Sequence, residues 1–191
     1  MDICFAFGTS DSNADKTYKK MQEAVKHMIE KYKDHDQIRF AILPFGTNPS
    51  SVRGFRDQSG DADGLIRFVT AIPRPRGRPD VVKALDRAEQ LFEVASPRPR
   101  AKKFLVVFVG SKSGNDLEML NKAAKPLEDK GVKVVAVAVG SESDPDELIK
   151  VVPNKGNLIK AKEIFEVPDK LGNEVMIIVL KGKDFCSGPK I

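Results

Sequence analysis

The chain has 191 residues, of which 41% are hydrophobic and 31% charged, enough for one well-buried core and short for two. Its formal net charge of +5, from 32 basic and 27 acidic residues, mildly favours acidic partners but falls well below the basic excess of a dedicated nucleic-acid binder. No apolar run approaches the roughly 20 residues of a membrane-spanning helix, and no charged-then-apolar export signal opens the chain, so a single soluble domain over residues 1–186 with a tail at 187–191 is expected.

In chain order, Asp2 to Phe7 reads as a buried strand whose apolar run opens into the loop GTSDSN. From Asn13 to Lys33 a helical period places Tyr18, Met21, Val25, Met28 and Tyr32 on one face. In an open α/β sheet such a strand-to-helix junction lies at the carboxyl edge, where ligands bind. A second strand runs from Gln37 to Phe45. The following GTNPSSVRGFRDQSG has no helical period; a turn at Asn48 and Pro49 leads into Ser51 to Arg56, read as an antiparallel edge hairpin.

Helices are then expected at Asp61 to Ile72, Asp80 to Val94, Asn115 to Lys130, Asp144 to Val152 and Val167 to Lys181. Strands are expected at Lys103 to Gly110, Lys133 to Gly140 and, weakly, Gly156 to Ile159. The runs FLVVFVG and VKVVAVAVG are almost continuously apolar, as for central strands covered on both faces. The alternation predicts a mainly parallel sheet flanked by helices. Asp80, Asn115 and Asp144 are placed to cap helix N-termini, with Pro145 suited to a first helical position. Lys130 and Gly131 form a C-terminal stop.

Cys4 and Cys186 bracket the domain and would suit one disulfide in an oxidising compartment; alternatively, Cys4 is a buried free thiol inside its strand. His27 and His35 lie on or just after the first helix, away from the carboxyl edge, so neither is placed as a general base there. No cysteine and histidine cluster has zinc spacing. The loop GTSDSN sits where a helix N-terminus could cradle a phosphate or nucleotide. It lacks both G-x-x-x-x-G-K-[ST] and G-x-G-x-x-G, so a phosphate- or nucleotide-binding α/β protein stands as the alternative reading.

The order of DICFAF opening into a Ser-x-Ser loop, IRFAILPFG with an edge segment behind it, DVVKALDRAEQLF, KKFLVVFVG, and GVKVVAVAVG ahead of DPDELIKV resembles the von Willebrand factor A (VWA) domain over nearly the full length. The resemblance implies a doubly wound, Rossmann-like α/β fold. It also implies a non-enzymatic adhesion or matrix-interaction module without a cofactor, carried extracellularly by a larger secreted or membrane-anchored protein. The partners it implies are matrix or receptor proteins, collagen among them; the basic loops, read from their residues, add an acidic or sulfated polymer, while charge and hydropathy give no expectation of nucleic acid or membrane insertion.

Members of that family commonly hold a divalent cation through an Asp-x-Ser-x-Ser loop, a Thr of a second loop and an Asp after the fourth strand, and a partner carboxylate completes the shell. Carried over, these positions are Gly8, Ser10, Ser12, Pro79 and Gly110, so the two acids and the threonine are gone. A hard dication needs oxygen ligands, normally including a carboxylate. The resemblance therefore implies an eroded metal-ion-dependent adhesion site and metal-independent binding, although Asp11 and Asp80, each one residue away, leave a rearranged site open. Ser10 and Ser12 can equally serve the turn and the start of the helix.

The second loop reads PRPRGRPD, and Lys112 follows Gly110 in the third. The candidate ligand-binding set is thus Ser10, Asp11, Ser12, Arg74, Arg76, Arg78 and Lys112. Arginine binds carboxylate or sulfate through two parallel hydrogen bonds, while Pro73, Pro75 and Pro79 stiffen the segment; without a ligand the same residues are a solvated loop. A second PRPR at Pro97 to Arg100 runs into Lys102 and Lys103. The intervening helix separates the two runs by roughly 20 Å, placing one at each end of the sheet, where together they suit a long polyanion rather than one pocket. Self-association through Val52 and Phe55 of the edge segment is a third reading, opposed by Arg53 and Arg56.

Overall fold

Strands β1 (Asp2–Gly8), β2 (Arg39–Pro44), β3 (Lys103–Val109), β4 (Val132–Val139) and β5 (Leu158–Ala161) form one sheet in the order β2-β1-β3-β4-β5, every pairing parallel, in a computed structural model. The structure describes residues 1–10, 14–56, 61–95, 98–161 and 168–181. Helices α1 (Ala14–Tyr32), α2 (Ala62–Ala71) and α6 (Pro168–Lys181) cover one face; α3 (Val81–Val94), α4 (Leu117–Asp129) and the single turn α5 (Pro145–Leu148) cover the other. This is the doubly wound α/β architecture expected from the alternation of strands and helices.

The two faces differ in bulk. Phe5, Phe7, Phe104 and Phe108 point toward α1, whereas Cys4, Ala6, Ala41 and Ala136 point toward α3. Small strand residues opposite Ala84 and Ala88 let α3 pack closely on that side. The face of α1 read from periodicity is the buried one, with Tyr18, Met21, Val25 and Met28 in the core and Tyr32 at its margin. Among the described residues no helix is long and apolar enough to cross a membrane.

Four expectations are corrected. The antiparallel edge strand is absent: Ile42 and Arg53 exchange backbone hydrogen bonds at 2.8 and 2.9 Å, and Phe45 bridges Pro49, as isolated contacts. The segment folds over the β2 edge instead, with Phe55 buried against the Phe92 ring at 5.1 Å and Arg53 lying over Phe68 at 4.7 Å. Phe55 is therefore a core residue and offers nothing to a second copy. Asn115 does not cap α4; Asp116 does, accepting from Glu118 and Met119 N–H at 2.8 and 3.3 Å. The helix expected to reach Val152 stops at Leu148 because Val151 and Val152 turn into the core and Pro153 disfavours a helical residue before it. The last strand begins two residues later than expected, after a 3₁₀ turn at Lys155–Asn157 capped by Asn154. Cys4 is buried in β1 as a free thiol, which burial pushes far above the usual range; Cys186 lies outside the described residues.

Candidate functional site

Because β2 and β3 flank β1 on opposite sides, the chain reverses its winding between β1 and β3, and the crevice at their carboxyl ends is the topological switch point. Gly110 N–H donates to Gly8 O across it at 3.0 Å. A Cβ on Gly8 would lie 2.2 Å from Phe45 O, a backbone atom that cannot swing aside. A Cβ on Gly110 would lie 2.5 Å from Thr9 Oγ1 and 2.7 Å from Thr17 Cγ2, both on buried residues. The two positions that the resemblance assigns to carboxylates thus have no room for a side chain. Above them Ser10 N–H donates to Ser111 Oγ at 3.0 Å, and the two hydroxyls sit 3.2 Å apart, clasping the first and third loops.

The second and third loops are joined by a different clip. Asp80 Oδ1 accepts from Lys83 N–H and from Asn115 Nδ2, each at 3.1 Å, and Asn115 Oδ1 accepts from Val81 N–H at 2.8 Å. Asp80 is thereby committed to starting α3, and Pro79 is buried just before it. From α5, Glu147, 4% exposed, reaches the third loop, where its two oxygens accept from Ser113 and Gly114 N–H at 2.8 and 3.0 Å. Asp11 and Ser12 lie outside the described residues. Thr9, Thr17, Ser111, Asn115 and Glu147 are site residues that sequence reasoning missed. Tandem cap-competent residues at 115 and 116 are the one available signal: whichever does not cap is free to bind elsewhere.

The expected cations do not form one cluster. Arg74 donates to Asp15 at 2.7 Å and toward Thr9 O at 3.5 Å, beside an open groove of about 460 Å³ between α1 and α2. Arg78 donates to Lys112 O at 3.1 Å and covers Gly114, whose φ of +67° makes any side chain there strained. Lys112 pairs with Asp144 at 3.2 Å. Desolvation raises the Asp144 pKa, but hydrogen bonds from Lys112 and from the Asp146 and Glu147 amides outweigh it and hold the carboxyl below its usual range. Arg76 is exposed, and among the described residues its guanidinium has no hydrogen-bond or ion-pair partner. His27 lies in the lower half of α1 and His35 beyond its end beside Tyr32, both remote from this crevice.

The family model of the von Willebrand factor type A domain matches residues 2–172. The mouse collagen alpha-4(VI) chain is 24% identical over 177 residues, covering 92% of this chain and 7% of that one. The human collagen alpha-5(VI) chain is 25% identical over 175 residues, covering 86% and 7%. The chain therefore spans 7% of the length of these relatives. Among solved structures, proximal thread matrix protein 1 from the mussel byssus superposes with a TM-score of 0.77 at 15% identity, covering 92% of this chain and 46% of that one. The same protein with a zinc-occupied MIDAS motif gives 0.76 at 21% identity, covering 93% and 45%. BatB from Bacteroides thetaiotaomicron gives 0.66 at 10% identity, covering 94% and 99%.

Proposed function

Because this chain belongs to the von Willebrand factor A domain family, we propose that it is a non-enzymatic recognition module of an extracellular matrix or adhesion protein, and that its top face binds without a cation. The observation that carries the second half is the closure of the crevice at Gly8 and Gly110 by Phe45 O, Thr9 and Thr17. A zinc-occupied site in the mussel protein means that the fold does not forbid a cation; the side chains at the ligand positions decide. Here the donors among the described residues are neutral hydroxyls, and Asp80 is spent on Lys83 and Asn115. That donor set does not fit a hard dication, which loses its hydration shell only to several oxygens with negative charge among them.

The matrix setting is supported by the collagen VI relatives. In the family resemblance a partner carboxylate completes the metal shell; in this chain Arg76 can take its place, because its guanidinium is exposed and uncommitted among the described residues. Arginine's fork offers two parallel donors to a carboxylate or sulfate. Arg78 and Lys112 hold the surrounding loops in position through their own contacts.

Solid-phase binding of the chain to fibrillar collagen and to a decellularised matrix, in EDTA and in Mg²⁺, tests the reading. The expected result is equal binding in both buffers and a loss of about tenfold or more in Arg76→Glu, the scale of a charge-assisted hydrogen bond. Binding that appears only with Mg²⁺ overturns it.

A further inference from the structure

The second Pro-Arg-Pro-Arg run is not used by the top face. Its described residues, Arg98 to Arg100, lie at the opposite end of the sheet, where Ala101 N–H closes a turn onto Arg98 O at 2.9 Å. Pro99 occupies the second position of that turn, which its fixed φ favours, and Arg100 stands exposed at the third. Arg98 anchors the turn by donating to Asp2 Oδ1 at 2.9 Å and Gln37 O at 2.8 Å. Asp2 is 2% exposed and also accepts from Arg39 at 2.9 and 2.7 Å, so two guanidiniums share one carboxylate at the start of β1.

Two open clefts, of about 620 and 290 Å³, meet at this turn and share Arg98 and Pro99. Arg100 and Lys102 line the larger; Lys103, which pairs in register with Asp2, and Lys130 line the smaller. Of these, Lys130 is paired with Glu89 and Glu93 and Arg98 with Asp2, while Arg100 and Lys103 have no side-chain partner among the described residues and supply the charge that faces the clefts.

We propose that this lower edge binds a sulfated polysaccharide chain, laid across both clefts with the Arg98–Ala101 turn beneath it. Sulfate matches the arginine fork and the lysine point charges. Two open clefts joined at one turn suit a chain passing over the surface better than an enclosed small anion. A single-stranded nucleic acid would need exposed aromatic faces for its bases, and among the described residues the one aromatic lining the clefts, Phe92, is 5% exposed. The turn is held by its own hydrogen bonds before any ligand arrives, so little conformational freedom is lost on binding.

The test is titration of the 191-residue protein with a heparin octasaccharide, alongside salt-gradient elution from heparin and sulfonate resins. The protein is expected to leave heparin at higher salt than sulfonate. Arg100→Glu with Lys103→Glu should bind the octasaccharide about tenfold or more weakly, as expected when phosphate-like contacts are reversed in sign. Lys122→Glu, the same charge reversal at an exposed position of α4 outside both clefts, should bind it as the parent does, which separates this site from a general effect of net charge. If thermal melts show the double variant unfolded, Arg100→Ala in the exposed turn carries the test. Unchanged affinity in the folded variant, equal retention on both resins, or equal affinity for a single-stranded oligonucleotide of matched charge overturns the proposal.

Discussion

At Gly8 the obstacle to a side chain is backbone, Phe45 O at 2.2 Å from a built Cβ; at Gly110 it is two threonines that no pattern in the sequence connects to it. That both ligand positions are glycine was legible from alignment to a family motif. That the space itself is filled was not, because it depends on β2 approaching β1 and on α1 carrying Thr17 inward. Gly8→Asp and Gly110→Asp are each expected to cost about 1–3 kcal/mol, the usual range for overpacking, as read by urea denaturation, and together to restore no Mg²⁺ binding. Glu147 was equally hidden: nothing in DPDEL marks one acid as buried. Glu147→Ala leaves two amides without their acceptor and is expected to cost about 2–3 kcal/mol; a loss below about 0.5 kcal/mol would contradict the role given to it. Asp144, held low by Lys112 after desolvation is outweighed, contributes stability that is present above the ordinary carboxylate range and fades as pH falls through its depressed value. Lys112→Ala should move its carboxyl titration, followed by NMR, upward toward 3.8; an unmoved titration means that the pair does not form in solution.

Among the elements, those with strong internal signals were readable and those set by tertiary contact were not. Continuous apolar runs identified β1, β3 and β4 to within a residue or two, because strands covered on both faces leave no polar alternation. β5 was misplaced because it pairs only with the upper half of β4, Ala136 to Val139, and that register decides where it starts. The segment after β2 was read as a strand from its residue types, yet Phe55 gains more by burial against Phe92 than by extending a ladder. At α4 the neighbouring Asn115 and Asp116 divide the work, one clipping loops and the other capping. Asp116→Ala should therefore cost about 1 kcal/mol, as for an ordinary cap. Asn115→Ala should cost at least as much while also loosening the start of α3, seen as faster amide exchange at Val81. Unchanged exchange at Val81 would mean that the clip is not maintained.

For the whole molecule, doubly wound topology puts loop chemistry at one end of the sheet and strand starts at the other, and the chain's two arginine-proline runs fall one at each end. Their separation was legible from helix length alone. Their different states were not: above, three of the four cations are tied to Asp15, Lys112 O and Asp144, while below, a buried carboxylate organises a preformed turn. We infer that the crevice between β1 and β3 is closed to a cation by its own packing. Calorimetric titration of the chain with Mg²⁺ and Mn²⁺, paired with thermal melts, tests it most directly. No saturable heat and no shift in melting temperature with either ion is the expected result. Binding at one site, with a melting temperature that climbs as the ion is added, would contradict it.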